Sequence, residues 1–255
     1  MIPKVIHYCW FGAKEKPKSV QRCIASWRKY CPDYEIKEWN EDNFDVNMMP
    51  YTRDAYQAGK YAFVSDVARF WVLYHEGGVY FDTDVEVIKP IDGLIERGAF
   101  MGWEKPDALG NIHVAPGLGL AAPKDFSLYK EVLDGFSALS YYLEDGQWNP
   151  YTMIPLVTDL LLQKGLILDG TLQNVNVNDN ANSSVPVDVP VDVPVDVDVP
   201  VVTIYPADYL CPMDSLTGKI ELTNNTHTIH HYSMSWLPKI TQWRVRLMRR
   251  IRTIT

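Results

Sequence analysis

Residues Gly77–Asp84 have the sequence GGVYFDTD, which is the most informative part of the chain for its fold. Its apolar residues 79–81 predict a buried strand, and the two glycines before them suit the left-handed end of a helix. Asp82 and Asp84 follow at the carboxyl end of that strand. Ligands in open α/β sheets bind at this end, and carboxylates placed there are costly unless something binds them. The stretch therefore predicts an α/β fold with an acidic binding site at the sheet edge.

The Asp82–Asp84 pair is suited to a divalent cation. Mg²⁺ and Mn²⁺ prefer oxygen ligands and are typically held by one or two carboxylates together with substrate phosphates. An Asp-x-Asp pair alone is common on solvated loops, but the buried strand in front of it makes the prediction more specific. We expect Mn²⁺ or Mg²⁺ here, acting as a Lewis acid toward phosphate.

The residues on either side extend the α/β pattern. A strand over 5–10, a helix over 18–31 and a strand over 34–39 form the unit that builds parallel sheets. A long helix is predicted to fill much of 53–75, from a stripe of apolar residues between Phe63 and Tyr74. Further along, helices are predicted at 126–143 and 152–165, a loop entering a short strand at 110–119, and strands at 201–206 and 228–232.

Asp66 and Arg69 are three residues apart and therefore share one face of the predicted helix. They are either a simple ion pair within the helix or part of a site wall. In the second interpretation, Asp66 accepts hydrogen bonds from sugar hydroxyls and Arg69 faces sugar or phosphate. The residue types leave both interpretations open.

Three ring side chains near other predicted strands are weaker candidates. His7 in a strand is usually a satisfied core residue, and Trp10 is either a core residue or a stacking partner for a base. A neutral His230 can ligate a metal or donate to phosphate. The motifs of serine hydrolases, Walker-type nucleotidases and dinucleotide-binding enzymes are missing from the sequence.

The charge distribution argues against nucleic-acid binding. The net charge is −8, although residues 239–255 hold six Lys or Arg and no acid, so the rest of the chain is strongly acidic. Its four cysteines form no C-x-x-C pair and predict free thiols in a reducing compartment. A signal peptide and an apolar run of membrane-spanning length are both missing, so we expect a cytoplasmic protein.

Two segments stand apart from the predicted single domain at 1–238. Residues 185–200 repeat Val-Pro-Val-Asp and are expected to be a surface insertion, with a calcium site as the alternative. Residues 239–255 predict a basic amphipathic helix. That helix either lies on an anionic membrane surface or packs on the domain as an ordinary terminal helix.

Together these motifs resemble the bacterial capsular-polysaccharide glycosyltransferases of family 32, the group with a sugar-binding region containing a DXD motif. They are more distantly similar to Golgi α-1,6-mannosyltransferases and to the catalytic domain of large glucosylating toxins. The resemblance implies a GT-A fold, with a Rossmann-like nucleotide-binding half and a mixed central sheet. It also implies a retaining, metal-dependent transfer from a nucleotide sugar. The matching text lies at 2–12, 26–27, 32–34, 62–69, 77–86, 204–206, 229–231 and 235–236.

The resemblance also implies roles for individual residues. Catalytic roles fall on Asp66, Arg69, Asp82 and Asp84, and the metal ligands are Asp82, Asp84 and His230. The nucleotide-sugar site is formed by His7, Tyr8, Trp10, Asp66, Arg69, Tyr80, Asp82, Thr83, Ser235 and Trp236, with Asn111 as a further sugar contact from a variable loop. Residues 147–152 depart from the family, which leaves the acceptor side unassigned.

The sequence thus predicts a hexosyltransferase. The favoured donor is a UDP-hexose, and the expected acceptor is a polyisoprenyl-diphosphate-linked oligosaccharide in capsular or surface polysaccharide biosynthesis. The enzyme would be cytoplasmic or peripheral on the inner face of the membrane through 239–255. The alternatives are a GDP-mannose-dependent mannosyltransferase, a non-catalytic protein that binds nucleotide sugars or carbohydrate, and a membrane-associated scaffold that uses only the tail.

Overall fold

A computed structural model describes residues 1–178, 200–233 and 244 of the chain. Most of the predicted insertion (185–199), Ser235 and Trp236 lie outside the described residues, as does the C-terminal segment 239–255 apart from Arg244. The predictions made for them stay predictions.

Within the described ranges the chain alternates between strands and helices. The strands are β1 Val5–Cys9, β2 Glu35–Trp39, β3 Gly78–Tyr80, β4 Val85–Val87, β5 Ala99–Gly102, β6 Leu120–Ala122, β7 Gln173–Asn176, β8 Val201–Tyr205 and β9 Thr228–His230. The helices are α1 Lys18–Tyr30, α2 Pro50–Gln57, α3 Tyr61–Glu76, α4 Asp92–Ile95, α5 Ser127–Ala138, α6 Met153–Gln163 and α7 Ala207–Leu210, with a 3-10 turn at Pro116–Leu118.

Seven strands form one mixed sheet in the order β2-β1-β3-β6-β5-β8-β7. Strand β1 pairs in parallel with β2 and β3, and β5 pairs in parallel with β8. Strand β6 is antiparallel to β3 and β5, and β7 is antiparallel to β8. Strands β4 and β9 form a separate antiparallel pair. The predicted α/β class, with a β-α-β half and a mixed central sheet, is confirmed.

The long helix predicted within 53–75 is confirmed as α3, but it begins only at Tyr61, and the preceding residues belong to a separate helix, α2. Gly59 has a φ of +66°, a conformation that glycine adopts at little cost, and the chain turns there. The predicted end of α3 is confirmed, since Gly77 has a φ of +68°. At Gly78 a Cβ would lie 2.8 Å from the carbonyl oxygen of Val5, so this glycine lets β3 pair closely with β1.

Alternating residues of the sheet bury two apolar cores, one on each face. On one face α3 and α5 pack through Phe70 and Tyr129, whose rings are 5.2 Å apart. On the other face Trp27 of α1 is fully buried and donates its indole N–H to the carbonyl of Val85 at 2.8 Å. This hydrogen bond anchors β4, and with it the end of the Asp82–Asp84 segment.

The four cysteines are buried free thiols, as predicted. Among the described residues, none of the helices has the length and apolar character needed to cross a membrane.

Candidate functional site

A cleft of about 780 Å³ opens where the chain leaves β1 and β3. Its volume lies in the range of about 300–1,000 Å³ that is usual for small-molecule sites. Charged and aromatic side chains both line it. The charged ones include Asp66, Arg69, Asp82, Asp84, Glu104 and His230, and the aromatic ones include Trp10, Tyr61, Phe63 and Trp148.

Strand pairing brings the Asp-x-Asp pair to His230. After β3 the chain turns tightly, with the amide of Val85 donating to the carbonyl of Asp82 at 3.0 Å. Strand β4 then pairs with β9 in a register that sets Val85 opposite His230. As a result, His230 Nε2 lies 3.2 Å from Asp84 Oδ1. Ligand atoms of Asp82, Asp84 and His230 all lie within 4.8 Å of one another.

These three side chains fit a divalent cation. Two carboxylate oxygens and an imidazole nitrogen are a donor set used for Mn²⁺, and His230 Nδ1 is buried without a hydrogen-bond partner among the described residues. Burial and the charge of Asp84 raise the pKa of Asp82, although Arg69 opposes this. Burial would also raise the pKa of Asp84, but His230 and the Ser233 amide hold it well below its usual range. Such closely placed negative charge calls for a cation.

Arg69 joins helix α3 to the Asp82–Asp84 segment. Its side chain is almost completely buried, and Nη2 lies 2.9 Å from Asp66 Oδ1 and 3.0 Å from Asp82 Oδ1. Burial would lower the pKa of Arg69, but Asp82, Tyr80 and Asp66 raise it, so the guanidinium stays charged. Asp66 and Arg69 form an ion pair within the helix and both also line the cleft, so the two interpretations left open by the sequence are compatible.

In this arrangement the ionised form of Asp66 is disfavoured. Burial, together with the charge of Asp82, raises its pKa to about 7, even though the charge of Arg69 acts in the opposite direction. One buried guanidinium therefore faces two carboxylates and cannot fully neutralise both. A neutral or partly protonated Asp66 near pH 7 is the consequence.

Three more predicted site residues line the cleft: Trp10, Tyr80 and Thr83. The indole N–H of Trp10 donates to the carbonyl of Lys14 at 2.6 Å, which holds the ring at the edge of the cleft. The hydroxyl of Tyr80 donates to Asp82 Oδ1 at 3.1 Å. Tyr80 therefore orients one of the predicted metal ligands.

The structure does not place His7, Tyr8 or Asn111 in the cleft. His7 is fully buried, accepting at Nδ1 from Trp39 and facing the carbonyl of Gly77 with Nε2. Burial lowers its pKa to about 4, so it is a neutral core residue. Tyr8 packs in the core on the opposite face of the sheet from His7, because consecutive residues of β1 point to opposite faces and both faces are buried. Its hydroxyl donates a hydrogen bond to the carboxylate of Glu38.

Asn111 belongs to an exposed loop that is held by hydrogen bonds between its own residues. Its backbone amide and its side-chain amide both donate to the carboxylate of Asp107, at 2.9 and 3.1 Å. The side chain is thus engaged within its own loop and does not line the cleft.

Sequence reasoning missed four contributors to the site: Glu104, Gly117, Tyr232 and Ser233. Glu104 follows β5, and burial raises its pKa to about 7, opposed by the charge of His230. A Cβ on Gly117 would lie 2.5 Å from Asp82 Oδ2, so only glycine fits there. The Ser233 amide donates to Asp84 Oδ2 at 2.7 Å. A carboxylate directly after a second apolar strand was the one available signal, and it pointed to Glu104.

Tyr232 holds the segment that carries His230. Its ring centroid is 4.3 Å from that of His230, and its hydroxyl lies 2.9 Å from the sulfur of Cys211. The residue has a φ of +48°, which is unusual for a bulky side chain. This turn aims the following Ser233 amide at Asp84.

Comparison with known proteins places a glycosyltransferase signature on the N-terminal part of the chain. Residues 17–101 match the family described as "Glycosyltransferase sugar-binding region containing DXD motif". They include α3 and the Asp82–Asp84 segment. The match agrees with the DXD-type resemblance and does not test the capsular subgroup.

Two curated fungal relatives match less than half of the chain. "Inositol phosphoceramide mannosyltransferase 3" of Schizosaccharomyces pombe is 30% identical over 114 residues, which is 43% of this chain and 32% of that protein. "Mannosyl phosphorylinositol ceramide synthase CSH1" of Saccharomyces cerevisiae is 29% identical over 119 residues, 44% of this chain and 30% of that protein. The matched region thus spans about a third of these relatives' length.

Among solved structures, "PaToxG Glycosyltransferase" superposes with a TM-score of 0.47 at 20% sequence identity. The superposition covers 64% of this chain and 69% of that one.

Proposed function

We propose that this chain is a metal-dependent glycosyltransferase with a GT-A fold, which moves a sugar from a nucleoside diphosphate to an acceptor hydroxyl. One observation carries the proposal: Asp82, Asp84 and His230 converge beside the buried Arg69 in a cleft of suitable size. The match of residues 17–101 to a DXD-containing glycosyltransferase region supports it.

Each group has a task in this reaction. The bond between the anomeric carbon and the diphosphate oxygen breaks, a bond to the acceptor oxygen forms, and the hydroxyl proton leaves to the diphosphate or to solvent. The chemistry supplied by a bound Mn²⁺ or Mg²⁺ is neutralisation of the leaving diphosphate. Asp82, Asp84 and His230 would hold that ion, and Arg69 adds a fixed positive charge in a desolvated place. Asp66 accepts hydrogen bonds from hydroxyl groups of the sugar that is transferred.

The donor is proposed to be a nucleotide hexose, with a UDP-hexose as first candidate. A specific observation favours GDP-mannose as the second, since the curated relatives are named as mannosyltransferases or mannosyl-transferring synthases. Retention of anomeric configuration is carried over from the family resemblance. So are a polyisoprenyl-linked acceptor and a role in surface polysaccharide assembly. A cytoplasmic site of action at the membrane is proposed from the free thiols and the basic segment 239–255.

A thermal-shift panel tests the donor and the metal together. Purified protein is heated with Mn²⁺ alone, and with Mn²⁺ plus UDP-glucose, UDP-galactose or GDP-mannose. A donor at about 100 times its Kd stabilises the folded state by roughly 2.7 kcal/mol. For a chain of this size we expect the melting temperature to rise by on the order of 5–10 °C. Release of UDP or GDP with each donor then measures turnover.

The double variant Asp82→Asn, Asp84→Asn is expected to lose both the Mn²⁺-dependent shift and transfer. Asp134→Asn is the matched control, because Asp134 is an exposed carboxylate paired with Lys130 on α5. If transfer persisted unchanged in EDTA and in the double variant, the metal-dependent mechanism would be wrong. Donor-dependent stabilisation without any turnover would instead favour the non-catalytic binding protein.

A further inference from the structure

One of the aromatic rings that line the cleft is an exposed tryptophan. Trp148 lines the cleft and keeps 48% of its surface accessible. Its ring centroid is 6.0 Å from that of Phe63 on α3. Phe63 in turn packs against the buried Tyr141 at 5.6 Å. One part of the indole is therefore supported by the protein, and the rest is available to a ligand.

A hydrogen-bonded hairpin presents this ring. Tyr142 and Trp148 form an antiparallel bridge. The amide of Leu143 donates to the carbonyl of Gln147 at 2.8 Å, and the amide of Asn149 donates to the carbonyl of Tyr141 at 2.8 Å. This backbone holds Trp148 in place before a ligand arrives, which reduces the ordering needed on binding.

Helix α3 connects this ring to the charged residues of the cleft. Phe63 and Asp66 are three residues apart, so they lie side by side on one helix face. Asp66 contacts Arg69, and Arg69 contacts Asp82. A ligand lying on Trp148 and Phe63 would therefore sit next to the groups that hold the donor.

We propose that Trp148, backed by Phe63, is the acceptor subsite and binds a saccharide ring. The inference rests on the proposed function. An indole offers a flat apolar face and a polar edge, which match the C–H face and the hydroxyls of a pyranose. Polar side chains also line the cleft, among them Asp66 and Thr152, as suits a sugar more than an aliphatic chain. The position in the cleft then selects an acceptor whose terminal unit is a sugar.

Saturation-transfer difference NMR tests this directly. The probes are methyl α-D-mannopyranoside, methyl α-D-glucopyranoside and methyl α-D-galactopyranoside, with n-octyl phosphate as the lipid-like probe. All are measured with UDP or GDP and with Mg²⁺, which does not broaden the spectra. We expect ring protons of at least one glycoside to receive saturation in the wild type. Trp148→Ala should weaken its binding by roughly tenfold, and Trp148→Phe should retain most of it.

The control is Tyr142→Ala in the same hairpin, because Tyr142 is similarly exposed at 42% but does not line the cleft. It should leave glycoside binding unchanged, and Trp148→Ala should leave the nucleotide-dependent thermal shift unchanged. Equal glycoside binding in Trp148→Ala, or no glycoside binding in the wild type, overturns the acceptor subsite. Trp148-dependent binding of octyl phosphate alone overturns it in favour of a lipid chain. If the wild type shows no nucleotide-dependent thermal shift, the proposed function is overturned instead.

Discussion

Replacing Asp66 with Asn is expected to stabilise the protein above neutral pH while impairing sugar transfer. Asp66 and Asp82 share one buried guanidinium, with Arg69 Nη2 at 2.9 and 3.0 Å from them. Asparagine still offers an oxygen to Arg69, but it removes one of the two negative charges. What remains is a balanced pair of Arg69 and Asp82.

The size of the effect follows from the pKa of Asp66. Burial raises that pKa from 3.8 to about 7. Each unit corresponds to about 1.4 kcal/mol, so ionised Asp66 destabilises the fold by at most on the order of 4 kcal/mol. Solvent reaches 14% of the side chain, and we therefore expect a measured gain of roughly 2–3 kcal/mol.

The sign of the pH dependence is fixed by this raised pKa. The folded state holds the proton of Asp66 more tightly than the unfolded chain does, so the wild type loses stability as the pH rises from about 4 to about 7. Urea unfolding of the wild type and Asp66→Asn in EDTA should give equal free energies at pH 4 and diverge toward pH 8. Glu104, whose pKa is also raised to about 7, adds the same slope to both proteins and cancels in the difference.

At pH 8, where Asp66 is mostly ionised, the same variant should transfer sugar at least tenfold more slowly, since an amide accepts hydrogen bonds less strongly than a carboxylate. Asp134→Asn, at an exposed carboxylate, should change neither property. A difference in unfolding free energy that is equal at pH 4 and pH 8 would refute the reasoning. So would destabilisation by Asp66→Asn at pH 8, because the Asp66–Arg69 pair would then be favourable on balance.

Two further variants test the supports of the site. Gly117→Ala puts a Cβ 2.5 Å from Asp82 Oδ2 and should weaken Mn²⁺ binding at least tenfold by isothermal titration calorimetry, whereas Gly93→Ala, which has open space, should not. Unchanged Mn²⁺ affinity in Gly117→Ala would mean that Asp82 is not a ligand in this conformation. Trp27→Phe removes the indole donor to the Val85 carbonyl and should lower the urea unfolding free energy by about 1–3 kcal/mol. Trp148→Phe, at a half-exposed ring, should stay within about 0.5 kcal/mol of the wild type.

The local elements of the fold could be predicted because their signals are local. Strand β1 is a short apolar run, helix α1 has a hydrophobic period of 3.6 residues and strand β2 one of two, each within a single short window. The break between α2 and α3 was missed because the apolar stripe that predicts the helix lies within 63–74 and carries no information about the turn at Gly59. One positive φ at a glycine decides the boundary, and hydrophobic periodicity does not reveal it.

The residues of the site likewise differ in whether a local sequence signal indicates them. Asp82, Asp84 and Arg69 could be proposed because each lies within a short motif next to a predicted buried element. His7 and Tyr8 were placed at the nucleotide by their motif, yet their strand buries both of its faces and directs them into the core. The sequence resemblance thus located the strand correctly, but it did not indicate the direction in which the side chains of that strand point.

Gly117 and Ser233 could not be found from nearby residues, because only the folded chain brings them to Asp82 and Asp84. The Ser233 amide, for example, reaches Asp84 across 149 positions of the chain.

The scaffold around β4 explains how the protein tolerates so many acids in one place. Strand β4 is held by the Trp27 indole at Val85 and by Ser26, whose hydroxyl accepts from the amide of Val87 at 3.0 Å. On its other side it pairs with β9. These contacts join neutral groups that are buried or partly buried, so their strength does not depend on a metal or on pH. They fix the carboxylates of Asp82 and Asp84 against their mutual repulsion before any ligand binds, and an incoming cation then meets a preorganised pair.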